Sequence, residues 1–136
     1  MPQDTTNIAV HALDHLVLTV KDIPTTVQFY QDVLGMQAES FITAAGEVRQ
    51  ALRFGQAKIN LHQKGQEFEP KAASPMPGSA DLCFLTNVPL PRWQQKFATQ
   101  GIEVEEGPVP RTGATGPLMS LYIRDPDGNL IEVSTS

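Results

Sequence analysis

Apolar residues cluster along the chain in short runs whose spacing changes twice between the alternation of a strand and the repeat of a helix. Residues 13–20 are rich in β-branched and apolar side chains and read as a first strand. Its alternation sends Asp14, Leu16 and Leu18 to one face and Leu13, His15, Val17 and Thr19 to the other. Asp22 and Pro24 then open a helix in which Val27, Phe29, Tyr30, Val33 and Leu34 recur at helical spacing until Gly35 stops it. Strands are expected at 37–43, 48–54 and 57–62, divided by turn signals at Ala45–Gly46 and Gly55–Gln56. Residues 1–8 show no periodicity and are expected to fray.

After a polar linker over 63–77 the order begins again, with a strand at 79–86 and a helix at 90–100 that ends at Gly101. Strands at 102–105, 118–123 and 129–134 complete it, and Asp125 to Asn129 form a turn in which Pro126 and Gly128 each meet a backbone need. Sliding the chain by 66 residues lays His15 on Asp81, Thr19 on Leu85 and Gly35 on Gly101. Two βαβββ halves in an α+β chain are therefore expected. The second half is longer by a Gly- and Pro-rich stretch at 107–117, read as a loop that is either a mobile cover or a surface connection.

A chain of 136 residues with 40% hydrophobic and 18% charged residues suits one packed domain and lies far from the composition of disorder. The net charge of −5 argues against a nucleic-acid partner, which needs clustered Lys and Arg. The apolar runs are too short to span a bilayer and no basic, apolar leader precedes them, so no membrane partner is expected and a cytoplasmic location is. The single cysteine, Cys83, agrees with a reducing compartment and reads as a small buried hydrophobe.

Three residues change the picture from fold to chemistry. His15 is a lone imidazole on its face of the first strand, and Asp81 is its counterpart in the second half, set among residues that look buried. Glu132 stands where an apolar side chain would suit the last strand better. The first two have a plain alternative: a hydrogen-bonded core or surface histidine for His15, and a capping or turn role for Asp81. A buried carboxylate is costly unless paired or metal-bound, however, and a pseudo-twofold relation between the halves would let all three converge. One imidazole and two carboxylates would leave coordination positions free for substrate. The oxygen-rich set favours Mn²⁺, Mg²⁺ or Fe²⁺, with Zn²⁺ or Ni²⁺ as alternatives. His62 on the fourth strand, Tyr122 with Ser120 on the seventh, and Arg111 in the Gly-rich stretch are candidate substrate-binding groups. Their alternatives are a surface histidine, a core tyrosine and a solvated arginine, and no catalytic residue stands out. Arg124 reads as a structural partner, and Trp93 with Phe97 as packing residues.

Leu13 to Val17 around His15, Phe29–Tyr30 ahead of Leu34–Met36, and Asp125 to Val133 around Glu132 resemble the vicinal oxygen chelate superfamily of glyoxalases, bleomycin-resistance proteins and dioxygenases. Within it, the strings at 58–62, 67–72 and 106–113 are similar to the glyoxalase domain-containing protein five type. The resemblance covers nearly the whole chain. It implies one domain over 1–136, with module one at about 12–63, a linker at 64–77 and module two at 78–136. It further implies an open, U-shaped mixed β-sheet barrel with flanking helices, a metal in the U, and a homodimer. Most relatives place His where this chain has Asp81. Glyoxalase I-like members carry a further ligand near the position of Asn60 or Leu61, and fosfomycin-modifying members a polar residue at Val17 and a cavity tyrosine at Tyr122. The function implied is a divalent-metal-dependent lyase, isomerase or dioxygenase acting on a small substrate chelated through vicinal oxygens. A small-molecule-binding protein without catalysis, like bleomycin-resistance proteins, is the alternative.

Overall fold

The computed structural model describes residues 8–136; of the segment expected to fray only Ile8 falls among them, and residues 1–7 lie outside. The elements follow as β1 (His15–Val20), α1 (Ile23–Leu34), β2 (Gln37–Ile42), β3 (Val48–Phe54), β4 (Ala57–Gln63), β5 (Asp81–Leu85), α2 (Leu90–Thr99), β6 (Glu106–Thr112), β7 (Pro117–Arg124) and β8 (Leu130–Thr135). They form two four-stranded mixed sheets, β1-β4-β3-β2 and β5-β8-β7-β6. In each, the first and last strands of the module run parallel and the others antiparallel. The 66-residue repeat is thus a repeat of topology, two βαβββ modules, and no barrel closes.

Local chemistry explains the boundaries. Asp22 caps α1 by accepting the Thr25 N–H at 3.0 Å, Pro24 sits in the first turn, and Gly35 ends the helix at φ 74°. That left-handed conformation costs a side chain little only when it is absent. Helix α2 has no side-chain cap at its start, which falls on Pro89.

The strand expected at 102–105 lies instead at Glu106–Thr112, so most of the supposed loop at 107–117 is β6 and its hairpin. The prolines misled because β6 is an edge strand, where a missing N–H can face solvent without breaking the ladder. Gly107 is needed there: its φ is 119°, and a Cβ would stand 2.4 Å from the Ser120 carbonyl oxygen across the hairpin. The stretch is therefore paired sheet with a short turn, neither a cover nor a free connection.

One face of each sheet supplies a common core. Leu18, Val20, Leu52, Ile59 and Leu61 from the first module join Phe97, Leu121, Ile123, Ile131 and Val133 from the second in one cluster, and Phe54 meets Phe84 edge-on at 5.1 Å across the module boundary. The polar bond at that boundary is buried. Tyr30 of α1 donates its hydroxyl to Asp125 Oδ2 at 2.7 Å, while Asn129 Nδ2 donates to the same oxygen at 2.8 Å and the Asp127 and Asn129 N–H groups donate to Oδ1. Asn129 in turn accepts the Ala80 N–H ahead of β5. Burial, then the charge of Asp125, push the Tyr30 phenol far above its usual range, so it remains a donor. Among the described residues no helix is long and apolar enough to cross a membrane.

Tyr30→Phe removes one donor to a buried carboxylate and should cost about 2 kcal/mol in urea denaturation, with Asp125→Ala costing more because it orphans four donors at once. Gly107→Ala must displace backbone and should lower stability by about 2 kcal/mol or more in the same assay, whereas an alanine at a solvent-side position of β6 should be nearly neutral.

Candidate functional site

Because the core-facing residues alternate with polar ones, each sheet turns a second, polar face away from the shared core. On the first sheet this face carries His15, Val17 and Thr19 of β1 beside Lys58, Asn60 and His62 of β4, with Arg49, Ala51 and Arg53 of β3 next in order. On the second it carries Asp81 and Cys83 of β5, Glu132 and Ser134 of β8, and Ser120 and Tyr122 of β7.

His15 is half-exposed, and its Nδ1 lies 2.8 Å from Asp14 Oδ1. That contact holds the Asp14 carboxyl below the usual range. A carboxylate on one ring nitrogen orients the imidazole and leaves Nε2 as the free lone pair, the arrangement seen behind metal-ligating histidines. Glu132 is half-buried; Ser120 Oγ donates to its Oε2 at 2.6 Å and accepts in turn from Ser134 Oγ at 2.6 Å, and among the described residues Oε1 has no hydrogen-bond partner. Asp81 begins β5 on the exposed side, so the burial expected for it does not occur: β5 is an edge strand whose alternation turns Leu82 and Phe84, not Asp81, toward the core. Cys83 is likewise exposed, opposite Glu132 in the sheet, and contacts Ser134 Oγ at 3.3 Å. Desolvation, opposed by Ser134 and aided by the charge of Glu132, raises its thiol above the usual value.

Asp81 and Glu132 share one face, whereas His15 belongs to the other sheet. Among the described residues no group of three or more His, Cys, Asp or Glu side chains is placed to hold a metal ion within one chain. The donor chemistry of the three still fits a divalent ion: a preoriented imidazole nitrogen, a carboxylate with one oxygen free, and an exposed carboxylate. What one chain does not supply is their convergence.

Tyr122 accepts a hydrogen bond from Arg111 Nε at 2.8 Å, and the guanidinium also lies over its ring, 5.2 Å from the centroid. Arg111 pairs with Glu106 at 3.4 Å, so this arginine is held on the sheet face by its own strand and not solvated on a loop. Desolvation and Glu132 raise the Tyr122 phenol against the opposing pull of Arg111, which keeps its proton available to a ligand. Tyr122 is half-buried and no core residue. His62 is 3% exposed and accepts from Arg49 Nη2 at 2.6 Å, so it is no surface histidine. The structure therefore places His62 on module one and Tyr122 with Arg111 on module two. Sequence reading missed Arg49, whose only signal was a cation at an alternating position of β3.

Arg124 pairs with Glu105 at 3.0 Å and with the Gly128 carbonyl, the structural role expected of it. Trp93 and Phe97 pack together at 5.7 Å, and the Trp93 N–H donates to Thr86.

The model of the Glyoxalase/Bleomycin resistance protein/Dioxygenase superfamily matches residues 12–133. Virulence protein STM3117 of Salmonella typhimurium is 55% identical over 131 residues, 96% of this chain and 88% of that protein. Glyoxalase domain-containing protein RDO1 of Mycosarcoma maydis is 53% identical, covering 94% of this chain and 70% of its own length. The structure of an integron cassette protein from the mobile metagenome of V. cholerae aligns with a TM-score of 0.89 at 58% identity, over 96% of this chain and 98% of that one. With the family model spanning both modules and relatives above half identity along almost the whole length, the chain belongs to the glyoxalase, bleomycin-resistance and dioxygenase superfamily.

Proposed function

We propose that the protein is a divalent-metal-dependent enzyme of this superfamily that acts as a homodimer on a small substrate bound through vicinal oxygens. The observation that carries the reading is the preparation of the ligand atoms: Asp14 orients His15, and Ser120 with Ser134 fixes one oxygen of Glu132 and leaves the other free. Pairing the module-one face of one copy with the module-two face of a second would bring His15 to Asp81 and Glu132. Charge favours that pairing, since among the described residues Arg49 and Lys58 on the first face and Asp81 and Glu132 on the second take part in no ion pair of their own chain, while Arg53, Arg111 and Arg124 are paired with Glu39, Glu106 and Glu105. So does the exposed apolar surface at Val17 and Leu85, which sits on these faces and needs cover. Each copy would contribute one domain of two modules over 1–136.

The ion, when bound, supplies Lewis acidity toward two substrate oxygens; Mn²⁺, Mg²⁺ or Fe²⁺ suits the oxygen-rich donor set better than a soft metal. The chain's own groups do the rest. Tyr122, kept protonated and aimed by Arg111, donates to a substrate oxygen on which negative charge builds. Arg111 adds a positive field, and His62 serves the ligand from module one. A reducing cytoplasm suits the exposed thiol of Cys83.

Metal analysis of the purified protein should find about one divalent ion per chain, and His15→Ala and Glu132→Ala should each lower affinity at least about tenfold. Protons compete for an imidazole and two carboxylates, so added ion should raise the melting temperature at neutral pH and lose that effect in acid. A melting temperature indifferent to metal at both pH values, with unchanged metal content in His15→Ala, would leave the non-catalytic binding protein as the better reading.

A further inference from the structure

A cavity of about 360 Å³ lies between the β1–β4 edge of the first sheet and the linker that leads to β5. Val17, Thr19, His62, Lys71, Ser74 and Met76 are among its walls, and among the described residues no Asp or Glu lines it. In a chain of net charge −5, a pocket furnished with donors and free of carboxylates selects for negative charge.

His62 links this cavity to Arg49. A guanidinium only donates, so the 2.6 Å contact from Arg49 Nη2 makes His62 Nε2 the lone-pair nitrogen and places the ring proton on Nδ1. That N–H has no acceptor among the described residues. Burial first, and Arg49 second, push the imidazole below its usual pKa against the charges of Glu67 and Glu69, with Lys71 assisting, so the ring is neutral at physiological pH.

Arg49 is unlike its neighbours. Arg53, Arg111 and Arg124 each meet a carboxylate, Glu39, Glu106 and Glu105 respectively, within 3.4 Å. Among the described residues Arg49 meets none, and its buried Nε lacks a partner; its guanidinium carbon lies 4.9 Å from the Phe68 ring centroid and 5.8 Å from that of Phe41. Buried Asn60 Oδ1, on the same sheet face, lacks one too. The acids near His62 are engaged elsewhere, Glu67 by the Gly65 N–H and Glu69 by Lys71, each at 2.8 Å. Phe68 also packs edge-on against His62, which clamps the pair in place.

We propose that Arg49 and His62 form an oxyanion-recognition pair for this cavity, in which His62 donates Nδ1–H to a carboxylate or phosphate oxygen of a small ligand. Arg49 is the positioning residue: it sets the tautomer and supplies the positive field behind the ring. The pair rests on the proposed function only in identifying that ligand as the anionic end of the chelated substrate. Anion binding itself requires no metal.

The test uses full-length protein stripped of metal and freed of chelator, with ¹⁵N-labelled histidine followed by NMR. The His62 ring should show a protonated Nδ1 and a bare Nε2. Inorganic phosphate and acetate, titrated separately at constant ionic strength, should shift its signals, and the tighter of the two assigns the anion class. Arg49→Gln should mix the tautomers and weaken binding at least about tenfold, Arg49→Lys should weaken it less, and Arg124→Gln should leave it unchanged. Should Arg49→Gln fail to fold by circular dichroism, the wild-type tautomer and the Arg49→Lys titration decide. A protonated Nε2 in the wild type, His62 signals indifferent to both anions, or undiminished binding in a folded Arg49→Gln would each overturn the proposal. Metal content of His15→Ala is unaffected by any of these results, so this inference and the metal reading fail separately.

Discussion

The carboxylate of Asp125 is the point at which the two modules become one structure. It accepts four hydrogen bonds, three from its own turn and one from Tyr30 of the other module, and it is almost fully buried. A carboxyl group in that position is tolerated because every acceptor direction is used. The turn it organises fixes the start of β8 and, through Asn129, the start of β5, the strands that carry Glu132 and Asp81. Neighbouring contacts reinforce the same boundary: the Lys21 N–H reaches Asp127, and Gln100 of the second module donates to the Asp32 carbonyl of α1.

Joining the modules through their apolar faces has a consequence for chemistry. Since strand side chains alternate, a face that packs the core commits its opposite to the outside, and the polar groups of the two sheets point away from the common interior. Each face is locally complete in its supporting bonds, serines behind Glu132, an aspartate behind His15, an arginine behind Tyr122. The supporting bonds sit within a module, while assembly of the groups they prepare is a matter between faces. This division explains how prepared ligand atoms can stand apart in a single chain.

The two faces also divide the electrostatic labour. Module one sets Arg49 against His62 and Lys58 farther along the same face, and among the described residues aromatic rings, not carboxylates, lie against both cations. Module two holds its acids near Tyr122 and balances them with Arg111. A substrate bridging the two would meet a positive, donor-rich wall on one side and carboxylate ligands on the other. That asymmetry suits a ligand with an anionic end and a pair of oxygens.

Local pattern alone determined the element order, the repeat between His15 and Asp81, and the turn at Asp125, because strand alternation, helix stops at Gly35 and Gly101, and Pro–Gly turn chemistry act over a few residues. It also put Tyr122 and Ser120 on one face of a single strand, since alternation decides that without knowledge of the partner strand. Tertiary structure decided the rest. Edge position turned a proline-rich stretch into β6 and left Asp81 and Cys83 exposed, because burial depends on what covers a strand and not on its composition. Register alone brought Arg49 to His62 and thereby chose a tautomer, and a buried tyrosine 95 residues away gave Asp125 its fourth donor. Such contacts join residues whose separation in sequence carries no periodic signal, and only the folded chain holds them together.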